Sequence, residues 1–407
     1  MTSSAAPTPS FRRNVALLAV AQALFMCTQS MGIATTPLAG HSLLGADKSL
    51  ATLPIFLNHA GIMLTTIPAS LLMGRIGRRA GFTIGAVLAI VFGLLAAYAV
   101  TIRSFEVLCV SALLQGSAAA FAWYYRFAAA DTSPDSFKPK AISYVMAGGI
   151  AAGFVGPQIA KWTVDWFAPV TFMGVYVAIA ITGLLSVVLM QFLRIPRLSA
   201  EERAEGGRPM IQIIRQPTYI AAIISSMFGY GVMTLVMSAT PLAMLACGFH
   251  FADSATVIQA HIIAMFLPSF FTGHLIQRFG VLTIIATGAL IQAGCALVNI
   301  AGIEFANFLI ANALVGLGWN FTYVGGSTLL TRTYRPAERA RVQASHDFTV
   351  YATTATAAAL AGFLQQKSGW TAINLAALPL MGIVMLTALW LGLRLRREAL
   401  QAHQPAE

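Results

Sequence analysis

Residues 51–102 read ATLPIFLNHAGIMLTTIPASLLMGRIGRRAGFTIGAVLAIVFGLLAAYAVTI, and this stretch decides the fold. Two apolar runs, 51–73 and 80–102, flank a short basic segment that contains Arg75, Arg78 and Arg79. About 20 apolar residues are enough for a helix to cross the hydrocarbon core of a bilayer. The stretch therefore predicts a pair of transmembrane helices joined by a tight basic loop.

The same pattern continues along the whole chain. Of the 407 residues, 57% are hydrophobic and 10% are charged, a composition that excludes an ordinary soluble domain. We predict an all-α polytopic membrane protein with twelve transmembrane helices. The predicted spans are 14–38, 51–73, 80–102, 105–126, 141–160, 170–193, 217–241, 254–277, 280–301, 304–328, 347–366 and 370–393. Helix 1 is expected to be retained, because no small-residue cleavage site precedes a short apolar core.

The positive charge is distributed by side of the membrane. With both termini in the cytoplasm, 21 Lys and Arg residues fall on the cytoplasmic side and four on the other. Positive residues accumulate on the cytoplasmic side of membrane proteins, so this topology is predicted. We expect a multi-pass protein of a bacterial inner (plasma) membrane in contact with lipid. The net charge of +11 is then explained without a nucleic-acid partner.

The chain repeats itself at half its length. Thr36-Pro37-Leu38 recurs as Thr240-Pro241-Leu242, and Gly74-Arg75-Ile76-Gly77 recurs as Gln277-Arg278-Phe279-Gly280. Repeats of six helices are common in secondary transporters, with the substrate bound near the midplane. We predict three parts: an N-terminal six-helix half, a cytoplasmic linker and a C-terminal six-helix half. They span 1–193, 194–216 and 217–407.

These landmarks resemble the major facilitator superfamily across the whole chain. The loop after the second helix ends in Arg75-x-Gly77-Arg78-Arg79, which is similar to the basic loop motif of that family. The resemblance implies the major facilitator fold and alternating access between two halves. Gly74, and Gln277 in the second copy, stand where the family has an aspartate, so no ion pair is expected from those positions.

Two ligand pairs lie in the predicted helices of the C-terminal half. Met233 and Met237 are four residues apart, as are His261 and Met265 one helix later. Residues at that spacing share a helix face. Thioether and imidazole groups suit soft or borderline metals, above all Cu(I). The pairs therefore predict a copper route, although methionine is also a common filler of apolar helices.

Further pairs of this kind lie in the N-terminal half and are predicted as secondary metal ligands. They are Cys27 with Met31 in helix 1, and His59 with Met63 in helix 2. Cys247, three residues before His250, is predicted to meet copper first at the outer end of helix 7. For each buried histidine, a hydrogen bond to a neighbouring helix is the structural alternative.

The motifs Met233-x-x-x-Met237 and His261-x-x-x-Met265, with their helix placement, resemble the CcoA-type copper importers of the superfamily. The resemblance implies copper import that supplies the assembly of haem-copper cytochrome oxidase. It also implies that these four residues bind the metal as transported substrate, with no permanently bound cofactor. A cytoplasmic copper acceptor would be the partner, and the transporter is expected to be a monomer.

Two alternatives remain open. The same branch of the superfamily contains riboflavin importers, and a small aromatic substrate could stack on the rings of Trp123, Tyr124, Trp319 and Tyr323. The chain could also deliver copper to an assembly site by contact, without moving it across the membrane. No enzyme is expected, because the sequence has no nucleotide-binding glycine loop and no plausible catalytic triad. Arg126 is expected to snorkel or to pair in a loop.

Overall fold

A computed structural model of the protein describes residues 10–44, 53–195, 207–249 and 251–402. All regular structure in these ranges is helical, which confirms the predicted all-α class. Nine of the described helices are long and apolar enough to cross a membrane, or ten if one bent pair is counted as a single span.

The helices before the predicted linker are listed first. They are α1 (Ser10–Leu43), α2 (Leu53–Ile76), α3 (Arg78–Thr101), α4 (Phe105–Ala122), α5 (Tyr125–Asp131), α6 (Lys138–Ala147), α7 (Ile150–Thr163) and α8 (Met173–Gln191). The later helices are α9 (Met210–Ile214), α10 (Pro217–Ala246), α11 (Phe251–Phe266), α12 (Ser269–Phe279), α13 (Val281–Ala301), α14 (Phe305–Leu330) and α15 (Arg339–Ala402). A single 3-10 turn, Pro336–Glu338, precedes α15.

Two predicted spans are broken within their length, and a third break falls between two predicted spans. The span 141–160 is interrupted at Gly148 and Gly149, between α6 and α7. The span 254–277 bends by 43° between α11 and α12, where Pro268 removes a backbone donor. The spans 347–366 and 370–393 correspond to two helical parts of one long element, which meet at a kink at Gly369, where φ is 77°.

The helices form two compact units. One contains Met1–Gly206 and Pro336–Tyr351, and the other contains Gly207–Arg335 and Ala352–Glu407. In the first unit α4 packs against α2 and α3, and α8 packs against α3. In the second unit α14 packs against α10, α11 and α13. The predicted partition into 1–193, 194–216 and 217–407 stays a prediction.

Equivalent glycines make close helix contacts in each unit. A Cβ atom at Gly116 of α4 would collide with the carbonyl oxygen of Asn58 on α2. A Cβ atom at Gly316 of α14 would lie 2.7 Å from the carbonyl oxygen of His261 on α11. Small residues at such positions let two membrane helices approach closely. Gly116 thereby fixes how α2 aligns along α4, and Gly316 fixes how α11 aligns along α14.

The basic loop forms an ion pair with a carboxylate that lies elsewhere in the chain than position 74. Arg78 Nη2 lies 3.3 Å from Asp131 Oδ2, and both side chains are buried. Arg78 also donates to Gln343 Oε1, whose own amide donates to Asp131 Oδ2 at 3.2 Å. The carboxylate comes from the end of α5, so the loss of the aspartate at Gly74 does not remove the ion pair of the loop.

Candidate substrate site

In the second unit, hydrogen bonds between α10 and α14 show which part of α14 lies opposite Met233 and Met237. The hydroxyl of Ser225 on α10 donates to the Thr322 carbonyl oxygen at 2.8 Å, and Asn312 donates to Thr240 Oγ1 at 3.1 Å. Rising residue numbers on α10 meet falling numbers on α14, so the two helices are antiparallel. Met233 and Met237 lie between these two contacts, opposite residues 312–322 of α14. Both share the helix face that Thr240 turns toward α14.

The second ligand pair meets the same stretch of α14. His261 Nδ1 lies 2.9 Å from the carbonyl oxygen of Asn312, and the Asn320 amide donates to the Met265 carbonyl oxygen at 2.8 Å. These contacts place α11 against residues 312–320, a length of about 12 Å along a helix axis. Both predicted pairs therefore lie at the same level along α14.

His261 has a fixed tautomer and a free nitrogen. Its side chain is fully buried, and because a carbonyl oxygen can only accept, Nδ1 carries the proton. Nε2 then holds a lone pair, and it has no hydrogen-bond partner among the described residues. A histidine that donates through one ring nitrogen and offers the other is the usual arrangement of a metal ligand.

The three methionine residues differ in burial. Met233 is 3% exposed, whereas Met237 and Met265 are half-buried. Within the ranges that the structure describes, no three His, Cys, Asp or Glu side chains cluster as a metal site would require. A metal held at this depth would therefore depend on the thioethers as well as on His261.

The N-terminal pairs are placed less favourably. Cys27 donates through Sγ to the Ala151 carbonyl oxygen at 3.6 Å, and Met31 is completely buried in the apolar core of the first unit. The half-buried His59 bonds through Nδ1 to the Ile55 carbonyl oxygen of its own helix at 2.9 Å. Met63 is half-buried.

The helix contacts align the two halves one residue differently from an alignment that matches His59 with His261. Gly116 packs on Asn58 and Ile62, and Gly316 packs on His261 and Met265. The counterpart of His261 is therefore Asn58, and His59 lies one residue further round its helix. Near the end of α10, Cys247 is exposed. His250, predicted beside it, lies outside the described residues.

The aromatic side chains that were proposed to stack on a substrate already contact other aromatic side chains of the protein. Trp319 and Tyr323 stack on each other with ring centroids 5.1 Å apart and an angle of 19° between the planes. Tyr230 meets both rings edge-on, at 5.3 and 5.2 Å, and Phe266 meets Trp319 at 5.7 Å. A flat ligand could enter between Trp319 and Tyr323 only if these rings separated.

The corresponding rings of the first unit are also packed. Trp123 contacts Phe25 at 5.5 Å and Tyr351 at 5.8 Å. Tyr124 donates its hydroxyl to the Thr66 carbonyl oxygen at 3.0 Å. All four predicted stacking residues are buried, with an exposed fraction of 7% for Trp123 and 0% for the other three.

Sequence reasoning missed one buried charged cluster. Arg126, predicted to snorkel or to pair in a loop, is 1% exposed, and its Nη2 lies 2.5 Å from Asp347 Oδ1. His346 Nδ1 lies 2.8 Å from the same oxygen. The signal in the sequence was the adjacent His-Asp pair at the start of a predicted span, where ionisable residues are rare and functional.

The family pattern of the Major Facilitator Superfamily matches residues 18–301 and 227–407, and the chain belongs to this family. Its members are transporters, so the chain is a secondary transporter and a multi-pass membrane protein. The Riboflavin transporter RfnT of Brucella anthropi is 37% identical over 92% of this chain and 94% of its own length. The Uncharacterized MFS-type transporter YddS of Bacillus subtilis is 25% identical over 96% of this chain and 93% of its own.

Solved structures agree on the fold. The E. coli fucose:proton symporter FucP superimposes with a TM-score of 0.75 at 15% identity, over 94% of this chain and 99% of its own. The human organic anion transporter MFSD10 gives a TM-score of 0.75 at 11% identity, over 94% of this chain and 100% of its own. At such identities the likeness establishes the fold alone. The comparisons support a transporter and leave copper import a matter of proposal.

Proposed function

We propose that this transporter imports copper across a bacterial inner membrane by alternating access. The observation that carries the proposal is the buried Nε2 of His261, which holds a lone pair and has no hydrogen-bond partner in the described part of the chain. An unsatisfied acceptor at this depth costs about 1–3 kcal/mol, so it is expected where a ligand completes it. Thioethers at the same depth make a soft metal the fitting ligand.

The ligand chemistry fits a transported ion better than a resident one. Thioether sulfur carries no proton, so Met233, Met237 and Met265 could release copper without a change in protonation. Copper would be substrate, delivered to a cytoplasmic acceptor for oxidase assembly. That destination, the cytoplasmic termini and the monomeric state rest on the sequence resemblance and topology.

Riboflavin uptake is the second candidate. It is supported by the 37% identity to a riboflavin transporter over nearly the whole chain. The comparisons therefore favour the aromatic substrate, and the geometry around His261 favours copper. Because Trp319 and Tyr323 stack on each other, a flavin would have to separate these rings or use other surfaces.

Parallel uptake assays separate the two candidates. Cells that lack the chain receive the wild type, Met233→Leu, His261→Gln or the control Met381→Leu, which changes a methionine that is equally buried in α15. Uptake of labelled copper and of labelled riboflavin is measured at matched protein levels. We expect copper uptake to fall at least tenfold in the first two variants and to persist in the control. Riboflavin uptake with no copper uptake in the wild type would establish the second candidate.

A further measurement addresses the non-transporting alternative. Copper should accumulate inside proteoliposomes that contain only the purified chain. If oxidase assembly in cells needs the chain while proteoliposomes take up no copper, delivery by contact replaces transport.

A further inference from the structure

A cavity lies in the first unit where the end of α2 and the start of α3 meet the start of α15. It has a volume of about 120 Å³, and its lining includes Ser70, Gly74, Arg78, Arg339 and Ala340. Ser70 is fully buried and donates to the Ala340 carbonyl oxygen at 2.7 Å, so the two segments touch beside the cavity. One water molecule needs about 10–15 Å³ of such space, so the cavity has room for a group of several non-hydrogen atoms.

Gly74 leaves the wall of this cavity without a carboxylate. The family that the basic loop resembles carries an aspartate at this position, and this chain has no side chain there. A Cβ atom at Gly74 would lie 3.5 Å from the Cβ atom of Ala340, which is an ordinary contact distance. Space for an acidic group therefore exists at this position, although the chain itself does not supply one.

Positive charge is in excess around the cavity. The segments 74–79 and 336–341 carry five arginines and one glutamate, and Asp131 beside Arg78 adds a second carboxylate. Arg78 is paired with Asp131, whereas the half-buried Arg339 has no side-chain hydrogen bond or ion pair within the ranges that the structure describes. A guanidinium is always charged in proteins, and its planar set of N–H groups matches the oxygen atoms of carboxylate and phosphate.

The start of α15 adds to this preference for an anion. Arg339 and Ala340, which both line the cavity, are the first two residues of that helix. The N-terminus of a helix carries a partial positive charge, which is why phosphate and carboxylate groups bind there. The cavity thus combines an arginine, a helix N-terminus and enough room for an anion with several oxygen atoms.

We propose that this cavity binds a phosphate group, which supplies the negative charge that the chain lacks at position 74. The group comes either from a phospholipid headgroup or from free phosphate, and both contact the same cations. Once bound, it joins the end of α2 to the start of α15 within the first unit. The proposal is independent of the transported substrate, because the cavity is lined by residues other than the ligand pairs.

The test uses the purified full-length protein, stripped of bound lipid in a phosphorus-free detergent. Binding of labelled inorganic phosphate and of a short-chain phosphatidylglycerol is measured at constant ionic strength. The matching diacylglycerol serves as the lipid without a phosphate group. Thermal unfolding in the same solutions shows that each variant is folded.

Three variants accompany the wild type. Arg339→Gln removes the cation that has no partner among the described residues, and Gly74→Asp places a carboxylate in the cavity. Arg332→Gln, which removes an exposed arginine after α14, is the matched control for the loss of one positive charge.

We expect saturable binding of one phosphate group per chain to the wild type and to Arg332→Gln. Arg339→Gln should weaken this binding by about tenfold or more, because one charge-assisted contact is lost. Gly74→Asp should abolish binding and still unfold at a temperature at least as high as that of the phosphate-free wild type. Binding of inorganic phosphate assigns free phosphate as a source. Binding of the phospholipid alone, in excess of the diacylglycerol, assigns the headgroup.

Two results would overturn the proposal. One is that neither inorganic phosphate nor the phospholipid, beyond the diacylglycerol, binds saturably to the folded wild type. The other is equal binding by wild type, Arg339→Gln and Gly74→Asp, which would place the phosphate elsewhere. Neither result depends on uptake of copper or riboflavin, so this proposal and the proposed function can fail separately.

Discussion

At the scale of single residues, His261 and His59 show how neighbours decide what an imidazole can do. His261 donates to a carbonyl oxygen of another helix, and its buried Nε2 has no hydrogen-bond partner among the residues that the structure describes. His59 bonds to the carbonyl oxygen of its own helix and is half-buried. The position equivalent to His261 in the first unit holds Asn58, whose amide is a weak ligand for a soft metal.

The first residue-scale prediction compares the two halves. We expect His59→Ala and Met31→Leu to lower copper uptake only partially, because His59 is half-buried and bonds within its own helix, and Met31 is packed in an apolar core. Met233→Leu should abolish uptake. Copper uptake in cells at matched protein levels is the measurement. Equally severe losses in the N-terminal variants would mean that both halves supply ligands.

At the scale of helices, glycines set which residues face each other. Gly316 lets α14 touch the backbone of α11 at His261, and Gly116 lets α4 touch α2 at Asn58. A helix contact made through backbone atoms cannot slide without a collision. The register of His261 and Met265 against α14 therefore depends on one missing methyl group.

The element-scale prediction follows from this contact. Gly316→Ala should separate α11 from α14, cost about 1–3 kcal/mol of stability and reduce transport severely. Gly294→Ala is the matched control, because nothing lies within 4 Å of the added Cβ atom. Thermal unfolding in detergent and uptake in cells provide the readouts. If both variants behave like wild type, the helices have room to adjust and the glycine does not set the site.

At the scale of the molecule, the chain crosses from one compact unit to the other and back. The segment Pro336–Tyr351 belongs to the first unit, although it follows the helices of the second. Ser70 donates to the Ala340 carbonyl oxygen at 2.7 Å, and Gln343 joins the buried pair of Arg78 and Asp131. Polar contacts therefore tie this late segment to the early helices.

The molecule-scale prediction tests this tie. Arg78→Met leaves the Asp131 carboxylate buried without its cation, so we expect a loss of about 3–5 kcal/mol in stability. Arg394→Met removes an exposed pair with Glu398 and should cost at most about 1 kcal/mol. Thermal unfolding of both purified variants gives the comparison. A similar small loss in each would show that the buried pair is replaceable.

The sequence by itself determined the helical class, the membrane spans, the duplication and the family, because hydrophobic length and repeated motifs are properties of the chain alone. Only the tertiary structure decided where α11 bends away from α12, which residue is the counterpart of His261, and that Arg126 is buried against Asp347. Those outcomes depend on which helix faces which. That choice is made by glycine contacts and interhelical hydrogen bonds between residues that are 51 to 221 positions apart, and no local pattern encodes it.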